Sequence, residues 1–335
     1  MKEILEKITA GEDLSFEESK NTMGFLMDGR ASPVEIAALL VGLKTKGENP
    51  AEIAGAAQAM RERCVKLDVR DKQVIDVCGT GGDNSGTFNI STAVAFVAAA
   101  AGVKVAKHGN RSISSRSGSA DVLAALGINI NLKPDRAAQA LDEIGLTFLF
   151  APDYHPAMKH VAPVRRELGM KTIFNMLGPL TNPAGTKYQI IGTYSRTAAQ
   201  AMYEATGMLD MEQVYFVCSG DRFDEIILSE PADVFEYKRS GSSRSYQVDH
   251  HTFGFPPVNT TELRGDTPEQ NARIMMDLFT RREKNGVFYV TVANAAMALR
   301  ASGCDDDIKT CVEKAEDAIL SGMAHEKVKQ LKAFT

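Results

Sequence analysis

The first 65 residues place apolar side chains at helical spacing and hold few β-branched residues. The stretch "MKEILEKITAG" predicts an amphipathic helix that stops at Gly11. Ser15, with Glu18 three residues on, is a capping box, in which each side chain satisfies a backbone N–H of the first helical turn. Ser32 before Pro33, and Asn49 before Pro50, open two further helices, the first ended by Gly47. Four short helices in a row predict a small helical unit.

The pattern changes near residue 74. Short apolar runs at 74–78, 103–109, 146–150, 188–194 and 213–218 read as strands. Between them, 91–102, 120–127, 134–145 and 196–209 have helical spacing. Strands alternating with helices predict a mostly parallel sheet covered on both faces. Residues 154–185 break the alternation with a helical, then Pro/Gly-rich stretch, which either returns to the helical unit or bridges two lobes. Further on, 244–249 is strand-like, and helices are expected near 268–282, 305–321 and 325–333. In "GVFYVTVANAAMALRASG" the first half has strand composition and the second half helix composition. The expectation is an α/β protein: a small all-helical N-terminal domain over residues 1–70, completed by a segment within 155–185, and a larger α/β domain over 71–335 with a mostly parallel central sheet.

Size and charge narrow the function. The 335 residues are 44% hydrophobic and 24% charged, with a formal net charge of −5. That balance fits a globular chain and argues against a broad nucleic-acid-binding surface, so phosphate recognition should be local. No apolar run reaches membrane-spanning length, and no signal-peptide core is present at the N-terminus. Five cysteines with no CxxC pair argue for a reducing, cytoplasmic compartment.

Candidate chemistry gathers where strands end. After the strand at 74–78 comes "GTGGDNSGTFNIST". Its glycines let backbone N–H groups close on an anion, and the following helix, starting near Ser91, adds donors and a favourable dipole. It is neither a P-loop, lacking the lysine, nor a dinucleotide fingerprint, because Asn84 stands where the third glycine should be. Asp83 inside the turn suits a sugar hydroxyl or a bound cation, so the combination points to a phosphorylated sugar. A glycine-rich turn serving only tight packing is the bland alternative. After the next strand, "KHGNRSISSRSGSAD" offers Lys107, Arg111 and Arg116 as cations and Ser112, Ser114, Ser115, Ser117 and Ser119 as hydroxyls. His108 taken alone suits a structural imidazole equally well. A third cluster, Asp221, Asp224 and Glu225, follows the strand at 213–218; acids beside a polyphosphate suggest Mg²⁺. In a parallel sheet all three connections leave at one edge, where ligands bind.

Together, "GTGGD", "NIST", "KHGNRSISSRSGSAD", "HPAMKHVAPVRRELGMKTIFNMLGPLTNPA" and the Asp-Glu pair after a late strand resemble the anthranilate phosphoribosyltransferases, of the nucleoside phosphorylase-like phosphoribosyltransferase group. The resemblance implies a homodimer that uses Mg²⁺ and joins phosphoribosyl pyrophosphate (PRPP) to anthranilate in tryptophan biosynthesis. It implies that Gly79, Gly81, Gly82 and Asp83 hold pyrophosphate and ribose, that Thr87, Asn89, Ser91 and Thr92 take the phosphates, and that Lys107 and Ser119 bind further PRPP oxygens. It implies an anthranilate channel lined by Gly79, His108, Asn110, Arg165, Gly178 and Pro179, and a metal site at Ser91, Asp224 and Glu225. Arg165 has a rationale of its own, since a guanidinium pairs bidentately with a carboxylate. Two stretches depart from the family pattern: "CSGDRFDE", where a His-Gly pair is usual before the acids, and "KNGVFYVTVANAA", where a Gly-Pro-x-Arg-Asp motif is expected. A pyrimidine nucleoside phosphorylase, a phosphoribosyltransferase with another aromatic acceptor, and a non-catalytic nucleic-acid-binding relative are the competing readings.

Overall fold

The computed structural model describes residues 1–83, 85–112 and 117–334. The helical spacing of the N-terminal sequence folds as α1 (Lys2–Thr9), α2 (Phe16–Met27), α3 (Pro33–Lys46) and α4 (Pro50–Arg63). Ser15, Ser32 and Asn49 each cap their helix in a reciprocal capping box with Glu18, Glu35 and Glu52. Glu52 also accepts from the Leu14 N–H at 2.9 Å and pairs with Lys46 at 3.1 Å, tying the α1–α2 turn to α4 through a fully buried carboxylate.

The chain then forms β1 (Val74–Gly79), α5 (Ile90–Ala100), β2 (Lys104–Gly109), α6 (Ser119–Ala125), α7 (Pro134–Ile144) and β3 (Leu146–Phe150). Short helices α8 (Ala151–Tyr154), α9 (Ala162–Leu168) and α10 (Ile173–Leu177) follow, then β4 (Tyr188–Gly192), α11 (Arg196–Thr206) and β5 (Gln213–Ser219). The rest is β6 (Ala232–Lys238), β7 (Arg244–Val248), α12 (His250–Phe253), α13 (Pro268–Arg281), α14 (Gly286–Ala301), α15 (Ile308–Leu320) and α16 (Met323–Ala333).

Among the described residues the strands form one sheet in the order β3-β2-β1-β4-β5-β6-β7. β1 to β5 are parallel; β6 and β7 add an antiparallel edge. β6 went unpredicted by the sequence reading. The chain moves outward from β1 through β2 to β3, then returns to lay β4 on the other side of β1. Its direction therefore reverses between β1 and β4, where Gly79 stands opposite Gly192. In open sheets of this kind the crevice beyond the carboxyl ends at such a reversal is where ligands bind.

One sheet face packs on α5, α14, α15 and α16. The helix α5, rich in alanine, valine and phenylalanine, is buried almost end to end, so its N-terminus is held rigidly beneath the rim. The other face shares a core with α11, the N-terminal helices and α9–α10, through Ile191, Phe216, Leu40, Ile53, Val164 and Leu177. Residues 286–301 are helix throughout. The strand composition of "VFYVTV" reflects burial, not extension: Phe288, Val290 and Val292 are fully buried on a helix surrounded by protein, where β-branched packing outweighs propensity.

Candidate active site

The glycine turn leaves β1 pinned at its base. The Thr80 N–H donates to the Gly192 carbonyl at 2.8 Å, and the Tyr194 N–H donates to the Thr80 hydroxyl at 3.1 Å. Gly81 and Gly82 have φ of +61° and +75°, conformations that side chains with a Cβ rarely take. Beyond them Asp83 accepts from the Ser85 N–H at 3.2 Å. Asn84 lies outside the described residues.

The acidic connection after β5 folds onto this turn. Asp224 accepts from the Gly81 N–H at 3.1 Å, and a Cβ at Gly79 would stand 2.8 Å from the same carboxylate oxygen. At Gly192 a Cβ would lie 1.6 Å from the Asp224 carbonyl oxygen, so that strand end must be glycine for the acidic connection to sit where it does. Glu225 accepts from the Ser91 N–H at 3.0 Å, reaching the first turn of α5. Two buried side chains fix the connection from behind. Ser219 donates to the Glu225 carbonyl at 2.7 Å. Asn294 of α14 accepts from the Ile226 N–H at 3.0 Å and donates to the Ile226 carbonyl at 2.7 Å.

Asp224 and Glu225 are half-buried by surface area yet closely packed round by protein atoms. Burial, reinforced by Asp83 and Glu225, pushes the Asp224 carboxyl well above its ordinary range. Burial also raises the Glu225 carboxyl, opposed by Lys107 and the Ser91 N–H. Three acids thus crowd together with Lys107 as their nearby cation. Among the described residues no group of three or more His, Cys, Asp or Glu is arranged to hold a metal unaided. Two acids and a serine hydroxyl facing a crevice instead fit a hard divalent ion that takes its remaining ligands from phosphate oxygens and water.

Lys107, at the end of β2, is 3% exposed. Its ammonium donates to the Val77 carbonyl at 2.5 Å and to the Ser91 hydroxyl at 3.3 Å. Burial lowers its pKa, while Asp76 and the acidic connection hold it up. Lys107 and Glu225 thus meet at Ser91, on the N-terminus of α5. Thr92 lies one residue deeper, 1% exposed, with its hydroxyl unpartnered. Asn89 uses its side chain to hold neighbours: it donates to the Ser117 carbonyl at 3.1 Å and accepts from Asn271 at 2.9 Å. Thr87 stands 3.1 Å from the Ser85 hydroxyl and bridges to Arg264 through its backbone.

The second loop is organised by Asp121, which pairs with Arg111 at 2.7 Å and accepts from the N–H groups of Ser112 and Gly118 at 3.1 and 3.0 Å. Ser119 donates to the Asn110 carbonyl at 3.3 Å, closing the loop at its neck. Ser114, Ser115 and Arg116 lie outside the described residues.

Beside this a chain of contacts runs through His155, His108, Gly178, Phe174 and Arg165 and outlines a recess. His108 packs on His155 with ring centroids 5.2 Å apart. Burial and the neighbouring His155 push the His108 imidazole down to about 3, the Gly178 carbonyl opposing. Burial takes His155 down to about 4, with the Thr181 carbonyl opposing. Both rings are therefore neutral at neutral pH. Gly178 and Pro179 follow α10 directly. Arg165 lies with its guanidinium 4.9 Å from the Phe174 ring centroid, and among the described residues no acid pairs with it. Burial lowers it to about 10, leaving it charged.

The structure thus gathers Gly79, Gly81, Asp83, Ser91, Lys107, Asp224 and Glu225 at one rim. Asn110 and Ser119 lie on the loop leaving β2, beside His108 and its Gly178 contact. Five residues that shape this rim escaped the sequence reading: Asp76, Asp121, Lys171, Gln189 and Asn294. Asp76 did carry a signal, being an acid inside the apolar run "VIDVC". Lys171 packs its Cε within 3.1 Å of where a Gly82 Cβ would stand and lies 4.1 Å from the Tyr194 ring centroid.

Comparison with known proteins gives a consistent picture. The helical bundle domain of a glycosyl transferase family matches residues 2–64, and the α/β domain of that family matches residues 71–325. The anthranilate phosphoribosyltransferase of Persephonella marina is 44% identical over 336 residues, covering 100% of this chain and 99% of the relative. The crystal structure of anthranilate phosphoribosyltransferase from Thermus thermophilus superposes with a TM-score of 0.92 at 41% identity, covering 99% of this chain and 98% of that one. The Saccharomyces cerevisiae enzyme, solved in complex with PRPP and Mg, shares the fold with a TM-score of 0.89 at 24% identity, over 98% of this chain and 96% of that one.

Proposed function

The chain belongs to the anthranilate phosphoribosyltransferase family, and on that premise we propose how its own residues carry the transfer. It moves the phosphoribosyl group of PRPP to the amine of anthranilate, giving N-(5-phosphoribosyl)anthranilate and pyrophosphate. The backbone N–H groups of Gly81 and Gly82 and the N-terminus of α5 hold phosphate oxygens, with Thr87, Asn89, Ser91, Thr92, Lys107 and Ser119 around them, while Asp83 takes a ribose hydroxyl. Asp224, Glu225 and the Ser91 hydroxyl would hold Mg²⁺. When bound, that ion neutralises charge developing on the leaving pyrophosphate.

Anthranilate enters beside Gly79, against His108, Asn110, Gly178 and Pro179. Its carboxylate pairs with Arg165, whose guanidinium meets no acid among the described residues. An aromatic amine is neutral at working pH and already carries its lone pair, so no strong base is required. Neutral His108 agrees with this, because it packs and positions without competing for the proton. Catalysis is then positioning and stabilisation of the departing pyrophosphate by Lys107 and fixed N–H dipoles.

The observation that carries this reading is the double clasp at the rim: Asp224 on the Gly81 N–H and Glu225 on the Ser91 N–H, with Lys107 on the same serine. Three connections distant in sequence converge on one anion-sized site. We further propose that the chain divides near residue 70, with 155–185 completing the helical domain, supported by the separate family matches to 2–64 and 71–325. We also propose a cytoplasmic homodimer. The exposed apolar Val34 and Val41 of α3 support the dimer, and five free cysteines support the compartment. Among the described residues no helix is long and apolar enough to cross a membrane.

The test is anthranilate fluorescence. It should fall only when PRPP and Mg²⁺ are both supplied. Unchanged fluorescence, with phosphate-dependent cleavage of thymidine instead, would favour the nucleoside phosphorylase reading.

A further inference from the structure

Beneath the rim lies an acid that the transfer itself does not use. Asp76, in the middle of β1, is 0% exposed. Its carboxylate accepts from the backbone N–H of His108 at 3.1 Å and from the Gln189 amide at 3.4 Å, with the Asn182 amide and the Cys78 thiol standing near it. Two of these side chains reach onward. Gln189 donates to the Pro179 carbonyl at 2.8 Å. Asn182 donates to the Ala106 carbonyl at 2.8 Å and accepts from the Ala184 N–H at 2.8 Å. One buried carboxylate is therefore the common node of the His108 end of β2, the middle of β4 and the 178–184 segment.

We propose that Asp76 is a positioning residue: through the His108 N–H and Gln189 it sets the acceptor wall, His108 and Gly178–Pro179, at a fixed distance from the PRPP side of the crevice. This rests on the functional reading above. The arrangement is costly to build. An apolar residue in β1 would hold the sheet together equally well, whereas a fully buried acid is destabilising unless every oxygen is satisfied. Here its donors come from the segments that wall the recess. The polar layer makes their relative position a matter of hydrogen-bond length and direction, which apolar packing alone does not define. The nearby Lys107 charge compensates the carboxylate, so one node references both halves of the site.

The test splits the two substrates. Gln189→Met keeps the volume and removes the tie between Asp76 and Pro179. It should raise the anthranilate KM about tenfold, as expected for loss of one buried hydrogen bond, with the PRPP KM within about twofold. Asn182→Ser removes the amide's bond to the Ala106 carbonyl, which ties the 178–184 segment to β2 beside this node, and should give the same split. Thermal unfolding of each variant establishes that it is folded, and if Gln189→Met is not, Asn182→Ser decides the matter. A folded variant in which both KM values rise together, or neither moves, overturns the proposal, because a merely structural node would not discriminate between substrates. Failure of the wild-type chain to consume anthranilate would sink the functional reading; wild-type turnover without the split in the variants would sink this inference alone.

Discussion

At the scale of single residues the site is defined by charges placed where solvent cannot neutralise them. Arg165 rests on Phe174 and, among the described residues, has no acid of its own. Arg165→Ala should raise the anthranilate KM about 10–150-fold, the equivalent of roughly 1.5–3 kcal/mol for a charge-assisted hydrogen bond, with PRPP affinity little changed. Steady-state kinetics with each substrate varied would check this, and an unchanged anthranilate KM would remove Arg165 from the acceptor site. Asp224 and Glu225 present the opposite case, acids crowded with Asp83 and with each other. Combined Asp224→Asn and Glu225→Gln should relieve that crowding, so the apo chain unfolds at equal or higher temperature while the Mg²⁺ requirement weakens. An unaltered metal titration contradicts their role. Much of this was legible in the sequence, because acids, lysine and glycine announce themselves beside predicted strand ends. Asn294 and Gln189 did not, since an amide in an apolar run has no distinguishing pattern until folding shows which backbone it faces.

At the scale of elements, function depends on how closely two connections approach. The loop carrying Asp224 rests on the carboxyl ends of β1 and β4, and the approach is so close that Gly192 has no room for a methyl group. Gly192→Ala should therefore push the acidic connection off the rim. We expect activity to fall by at least about tenfold, with a raised Mg²⁺ requirement, since misplacing a positioned group by an ångström has effects of that order or larger. Normal kinetics in this variant would mean that the connection is freer than its packing implies. The capped N-terminal helices were readable because capping boxes are local chemistry. The helix α14 was not: its first half is written in β-branched and aromatic residues, and only its burial against α5 and the sheet explains them. Its second half supplies Asn294, which grips Ile226 next to Glu225. The antiparallel strand β6 was missed because it follows the long irregular connection that carries those acids.

At the scale of the whole molecule, the reversal of chain direction between β1 and β4 brings distant motifs together, and the alternation of strands and helices was sufficient to predict that sheet. It was not sufficient to predict which residues of 155–185 face the helical unit and which face the crevice. That division is set by Val164, Ile173 and Leu177 entering the shared core while Arg165 and Gly178 stay outside it. The same burial sets a pH dependence. His108 and His155 protonate near 3 and 4 in the folded chain, against about 6.5 when unfolded. Above pH 7 neither state holds a proton there and nothing is lost. As pH falls below about 6.5 the unfolded chain takes up protons that the folded chain refuses, so stability declines down to about pH 4. Urea unfolding should show a loss of about 1–2 kcal/mol per imidazole between about pH 7 and pH 5. The loss should shrink in His155→Asn, and an identical slope in that variant would contradict the assignment.

The most direct test of the whole account is a crystal structure of the chain with PRPP and Mg²⁺. The account predicts the pyrophosphate on the Gly81–Gly82 backbone and the N-terminus of α5, with the metal ion between it and the carboxylates of Asp224 and Glu225. PRPP bound away from this rim, or a metal ion that touches neither acid, would contradict it.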